Sequence, residues 1–275
     1  MVRKMEIVLP QVTDYPVNTT GMKVPFLTAR SAMVVDVPSR VVIFANNPDF
    51  RLPPASITKV MTALVVLENY KLDDVLTVPD VETVIGRNMG LEKGEEMTVE
   101  NLLYGLLVHS ANDAALTLVS GYPLGIEKFI FSMNEKAKEL DLFNTHFANI
   151  SGIDQANHYS TVRDLAHLAT YAMGNPVFAK IVRTKKNVVT DVKKKHWHDL
   201  ENTNELIGKI SGLVGVKTGW TEEADECLIS YVERNGRTII TVLLGSKDRF
   251  GETEKLIDWV FENYRWQEVT PSRKD

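Results

Sequence analysis

Hydrophobic residues crowd nearly every face of residues 56–68: Ile57, Val60, Met61, Ala63, Leu64, Val65, Val66 and Leu67 leave no polar stripe. A helix that is apolar all round is a central, buried one. Upstream, Ala32–Val35 and Val41–Phe44 are short β-prone runs separated by Pro38-Ser39-Arg40, and Asn46-Asn47-Pro48-Asp49 closes the second. This pattern predicts a hairpin. Downstream, Thr98 is placed to cap a helix through Leu102, Leu103, Leu106 and Leu107, and a second helical pattern runs from Asn112 toward Val119, with Ser110 at the junction. Further helices are predicted over residues 126–140 and 162–173, the latter opened by the capping box Thr161-x-x-Asp164. After the charged stretch Lys193-Lys194-Lys195 the pattern returns to strands. Leu228–Val232 and Thr238–Leu244 flank Asn235-Gly236, a strong hairpin signal, and Leu256, Ile257, Trp259 and Val260 mark a final helix near 253–263.

Two strands, a helical middle, then strands and a closing helix define an α/β fold. Its antiparallel sheet takes strands from opposite ends of the chain and is flanked by helices, with a mostly helical insertion over about residues 70–185. Residues 1–28, with Pro10, Pro16 and Pro25 and no clear period, read as an extended N-terminal arm; the domain spans 29–268, and 269–275 form a tail.

Composition narrows the function. The chain has 275 residues, 44% of them hydrophobic, enough for a sizeable core. A formal charge of −5 gives no basic surplus for nucleic acid. Cys227, the single cysteine, sits in an apolar run and reads as a buried thiol. The first 30 residues hold no apolar run of signal-peptide or membrane-span length, being interrupted by Lys4, Gln11, Asp14 and Lys23.

Against this background a serine and a lysine open the most apolar helix. In Ser56-Ile57-Thr58-Lys59 the positions i and i+3 share a face, so Lys59 can reach the Ser56 hydroxyl. Burial lowers the pKa of an ammonium and lets it take the proton that serine must lose to become a nucleophile. Ser110-Ala111-Asn112 lies between helices, and Lys217-Thr218-Gly219 precedes the strand hairpin. The ordered set S-x-x-K, S-x-N and K-T-G is that of class A β-lactamases and penicillin-binding proteins. Pro54–Thr62, Ser110–Ala115, Thr145–Asp154 and Ser160–Leu165 extend the similarity over roughly residues 29–265.

The chain therefore resembles the low-molecular-mass penicillin-binding proteins, the serine D-alanyl-D-alanine carboxypeptidases of peptidase family S11. That resemblance implies the serine β-lactamase and penicillin-binding-protein fold. It also implies an acyl-serine peptidase acting on peptidoglycan stem peptides, acylated by β-lactam antibiotics, with no cofactor. By position, Ser56 is the implied nucleophile, Lys59 its base, and Ser110 a proton relay to the leaving amine. Asn112 is implied to hold the substrate amide, Lys217 to add positive potential and Thr218 to bind the terminal carboxylate. Gly219 permits close approach, and the N–H groups of Ser56 and Trp220 form the oxyanion hole. The substrate implies an extracytoplasmic location, and any membrane anchor lies outside this chain. Asp225 stands where the family commonly has glycine, and Lys247 and Arg249 are both candidates for a carboxylate-binding cation. A D-alanyl endopeptidase of the same family, a β-lactamase and a non-catalytic penicillin- or peptidoglycan-binding module are the alternatives. The nearest match to a deacylating E-x-x-L-N segment, Glu139–Phe143, lacks the Asn. His196-Trp197-His198 offers metal-ligand spacing, but no partner segment of carboxylates is evident in the sequence, so no metal is expected.

Overall fold

The computed structural model describes residues 13–268. In chain order come β1 (Tyr15–Asn18), β2 (Ser31–Asp36) and β3 (Val42–Asn46), then a tight 3-10 turn (Ala55–Thr58) running into α1 (Lys59–Asn69). They are followed by β4 (Val75–Thr77), β5 (Glu96–Thr98), α2 (Val99–Tyr104) with a π-helical continuation over Gly105–His109, α3 (Asn112–Ser120), α4 (Gly125–Glu139), α5 (Val162–Met173) and α6 (Pro176–Val182). The chain closes with β6 (Lys186–Thr190), β7 (Trp197–Glu201), β8 (Leu213–Thr221), β9 (Asp225–Arg234), β10 (Arg237–Ser246), α7 (Arg249–Asn263) and β11 (Tyr264–Gln267).

The main sheet has the order β3-β2-β10-β9-β8, with every neighbour antiparallel. β2 lies beside β10, so the predicted meeting of the two chain ends in one sheet is observed. Burial on both faces explains the strands' apolar character. On β10, Ile240, Val242 and Leu244 face the core shared with α1 and α5, while Ile239 and Leu243 join Leu256, Ile257 and Val260 of α7. The alternation of side chains along a strand thus feeds two cores from one sequence run. α1 is buried at every position from Lys59 to Val66.

Local signals behave as their chemistry requires. Asn235 and Gly236 have φ of 54° and 72°, the left-handed pair that a two-residue hairpin turn needs. Thr98 Oγ1 accepts from Asn101 N, and Thr161 Oγ1 from Asp164 N. The second half of the Thr161 capping box is redirected, however: the Asp164 carboxylate accepts from Asn144 N and Thr145 Oγ1 at 2.8 and 2.7 Å. Within the stretch read as an arm, β1 pairs with β11, Tyr15 opposite Gln267. The short strands β4–β7 carry no sequence period of their own. They form two small two-stranded sheets around the helices that wall the site.

Candidate active site

Ser56 sits in the 3-10 turn, with Lys59 at the start of α1. The predicted reach is confirmed by a tighter geometry than an α-helix supplies, because side chains at i and i+3 eclipse in a 3-10 turn. Lys59 Nζ lies 3.0 Å from Ser56 Oγ and donates to Ser151 O at 3.0 Å. Lys59 is fully buried, and no carboxylate pairs with it among the described residues. Burial alone pushes its pKa down to about 7. At neutral pH a large share of Lys59 is therefore a free amine beside the serine hydroxyl.

The turn is held from behind. Ala55 has φ +48°, and its carbonyl accepts from Thr58 Oγ1 at 2.8 Å. Ala148 N donates to His158 Nδ1 at 3.0 Å, which leaves the His158 proton on Nε2, facing Thr58 Oγ1 at 2.7 Å. Burial lowers the His158 pKa to about 4, so the ring is neutral, and the Ala148 N–H sets its tautomer. Gly152, with φ +86°, packs directly on the Ala55 carbonyl. Ser151, Gly152 and His158 thus support the nucleophile, and the sequence reading gave none of them a role.

Ser110 follows the π-helical turn with φ 63° and is almost buried. Asn112 Nδ2 donates to Ile85 O at 2.7 Å, while its buried Oδ1 has no partner among the described residues. The neighbouring Asp113 carboxylate accepts from the N–H groups of Met89, Gly90 and Leu91 at 3.0–3.1 Å, and Asn112 N donates to Arg87 O. These bonds hold the 85–91 loop as one wall of the groove.

The third motif lies within β8, an edge strand of the main sheet. A Cβ on Gly219 would come 2.8 Å from Ala55 Cβ and 3.0 Å from Ser56 N, so the bare glycine lets β8 lie against the nucleophile turn. Thr218 Oγ1 is 2.6 Å from Thr203 Oγ1. Lys217 is buried. Desolvation, then the nearby Lys59 and the guanidinium groups of Arg249 and Arg87, hold its pKa well below the ordinary lysine range. Trp220 is 60% exposed at the rim. Between the two cationic candidates the structure discriminates: Lys247 pairs with Asp225 at 2.6 Å, whereas Arg249 lines the groove and donates Nη1 to Gly219 O at 2.9 Å. Asp225 itself adopts φ +55°, the left-handed conformation that favours glycine.

Ser56, Ser110, Asn112, Thr218, Gly219 and Trp220 line a single open groove of about 1150 Å³, with Lys59 and Lys217 buried behind it. Arg87, Asp154 and Thr203 also line it. Asp154 ends the Thr145–Asp154 segment quoted for the resemblance, whereas Arg87 and Thr203 come from segments with no motif that could have marked them. A serine beside a desolvated amine, in a cleft between a sheet edge and a helical wall, defines a serine acyl-transfer enzyme of the penicillin-binding-protein fold. The D-alanyl-D-alanine carboxypeptidase family, Peptidase_S11, matches residues 18–248, and the chain belongs to that family.

Its relatives agree. The D-alanyl-D-alanine carboxypeptidase DacF of Bacillus subtilis (strain 168) is 35% identical over 246 residues, covering 86% of this chain and 63% of that protein. The D-alanyl-D-alanine endopeptidase of Escherichia coli (strain K12) is 31% identical over 261 residues, 91% of this chain and 83% of the relative. The crystal structure of the Streptomyces K15 DD-transpeptidase superposes with a TM-score of 0.82 at 32% identity, over 88% of this chain and all of that one. The expected fold, family and serine-peptidase class are thereby borne out.

Proposed function

We propose that this chain is a serine D-alanyl-D-alanine carboxypeptidase that trims peptidoglycan stem peptides outside the cytoplasm and is acylated by β-lactams at Ser56. The observation that carries this reading is the 3.0 Å approach of an unpaired, buried Lys59 amine to Ser56 Oγ. Lys59 takes the hydroxyl proton as Oγ bonds to the carbonyl carbon between the two D-alanines. The C–N bond then breaks as Ser110 gives its proton to the departing amine of D-alanine and takes one from Lys59, which is thereby a free amine again. Water, deprotonated in turn by Lys59, hydrolyses the ester and frees Ser56. N–H groups of Ser56 and Trp220 stabilise the oxyanion, where one donor is commonly worth about 100- to 1000-fold in rate. Asn112, whose Oδ1 lacks a partner, accepts the substrate amide N–H. Arg87 and Arg249, which line the groove, make it attractive to an anion despite the chain's net negative charge.

Brief exposure to penicillin followed by intact-mass measurement tests the assignment. One covalent adduct is expected on the wild type, unaffected by chelator, and none on Ser56→Ala. An adduct surviving in Ser56→Ala would overturn it.

The terminal carboxylate falls to Thr218 and Arg249, which both line the groove, and Arg249 Nε has no partner among the described residues. Losing a hydrogen bond to a charged group costs about 1.5–3 kcal/mol, so Arg249→Leu is expected to lower kcat/KM for a D-Ala-D-Ala peptide by roughly 10- to 150-fold. The same peptide with a C-terminal amide should be cleaved equally by both enzymes. Equal losses on both peptides would show that Arg249 acts only on the fold.

A further inference from the structure

Arg87 takes no part in the acyl transfer, yet the structure holds it firmly at the groove. Its loop is fixed through the backbone: Asn112 Nδ2 donates to Ile85 O and Asn112 N to Arg87 O, both at 2.7 Å, and Asp113 N donates to Asn88 Oδ1 at 3.2 Å. From this wall Arg87 lines the groove together with His109, Thr203, Thr218 and Arg249. Its charge is felt across that space. After desolvation, Arg87 is the next cause that lowers the His109 pKa, and Arg249 and Arg87 both add to the lowering at Lys217, buried behind the groove.

The guanidinium has no counter-ion. No carboxylate pairs with Arg87 among the described residues, and the acidic groups of neighbouring segments are engaged: Asp113 by the N–H groups of Met89, Gly90 and Leu91, Glu201 by Lys186 at 3.0 Å, and Glu205 by Lys209 at 3.7 Å. Since the Lys217 pKa is held well below the ordinary lysine range, the positive charge around Thr218 rests on Arg87, from the helical wall, and Arg249, which reaches over to the Gly219 carbonyl of β8. The two walls are joined at this point, for Thr203 Oγ1 lies 2.6 Å from Thr218 Oγ1 and Thr203 N donates to Val108 O, one residue before His109, at 3.1 Å. Two like charges facing one open cleft repel. A carboxylate between them removes that repulsion, and its oxygens match the planar fork of either guanidinium.

We propose that Arg87 is a specificity-determining residue of the peptidase: with Arg249 it grips the C-terminal carboxylate of the peptide, one guanidinium from each wall. The inference rests on the acyl-serine peptidase reading of the groove. Two points of attachment fix the direction in which the peptide lies across Ser56, and they separate a free C-terminus from a blocked one more sharply than one cation does.

Cleavage of a D-Ala-D-Ala peptide and of the same peptide with a C-terminal amide, measured on the full chain, tests this. Arg87→Gln is expected to lower kcat/KM on the free acid about tenfold and to leave the amide within about twofold, so that the preference for the acid falls about tenfold. Arg87→Lys, which keeps the charge without the fork, should recover part of the loss. When Arg87→Gln is combined with Arg249→Leu the preference should vanish, the two peptides being cleaved alike. Lys185→Gln removes another exposed cation of the groove and should shift the preference by less than about twofold. An unchanged preference in Arg87→Gln would overturn the proposal. So would equal losses on both peptides, which would leave Arg87 only the task of holding its loop, or an equal shift in Lys185→Gln, which would reduce it to general positive potential. The penicillin adduct at Ser56 separates these results from failure of the peptidase reading: an adduct with an unchanged preference sinks the role of Arg87 alone, whereas a wild type with neither adduct nor cleavage sinks both.

Discussion

Lys59→Met is expected to abolish acylation and at the same time to make the protein more stable. The lost base accounts for a fall of about 100- to 10,000-fold in the rate of penicillin acylation. The gain in stability follows from linkage. Lys59 titrates at about 7 in the folded protein against 10.5 as a free side chain, and it is fully buried. Between those values the unfolded chain binds a proton that the native state does not, so wild-type stability rises with pH across the window. At pH 7 the folded state therefore forgoes roughly 4 kcal/mol, at about 1.4 kcal/mol per unit. Methionine, of similar length and uncharged, removes that penalty but leaves the Ser151 carbonyl without its donor, at a cost of about 1–3 kcal/mol. A net rise in melting temperature of a few degrees is expected at pH 7, shrinking to nothing or reversing by about pH 10. Melting curves at pH 6, 8 and 10 check the sign; an advantage that grows with pH would contradict a neutral buried Lys59. The wild-type acylation rate should correspondingly climb with pH through about 7 and level off above it.

Gly152→Ala should damage both stability and chemistry. An added Cβ would lie 1.8 Å from Ala55 O and 2.8 Å from Thr58 Oγ1, and the backbone at φ +86° already disfavours any side chain. The nearer obstacle is backbone, so the nucleophile turn must move. The expected loss is about 3 kcal/mol, or roughly 6–12 °C in melting temperature. A shift of order 1 Å at Ser56 is worth about 100-fold in rate. Gly236→Ala is the control: its φ is +72° but no atom lies within 4 Å of the added Cβ, so it should cost about 1 kcal/mol and leave acylation intact. Equal effects of the two substitutions would mean that backbone conformation alone, not contact with the turn, makes Gly152 necessary.

Much of this was legible in one dimension. The all-round apolar run after Ser56 marked α1 as buried, and the serine and lysine at its start were chemically anomalous there. Asn235-Gly236 specified a hairpin because few residues tolerate two successive left-handed conformations. Short elements such as β4 and β5 escaped because three residues carry no period. The His196/His198 pair looked isolated because the carboxylates it meets, Glu92 and Glu95, come from residues about a hundred positions earlier, brought opposite by packing alone.

The sequence by itself determined which runs are buried, that the sheet takes strands from both chain ends, and the three motifs whose residues meet in the groove. These follow from periodicity and from residue types that make sense only in one environment. The tertiary structure decided the rest. It removed Lys59 from water and from every carboxylate of the described residues, placed Arg249 rather than Lys247 at the groove, and set Gly152 and His158 behind the nucleophile. Such outcomes depend on which distant segments approach within a few ångströms, and on the solvent they exclude. Distances and desolvation are properties of the packed chain, with no counterpart in the spacing of residues along it.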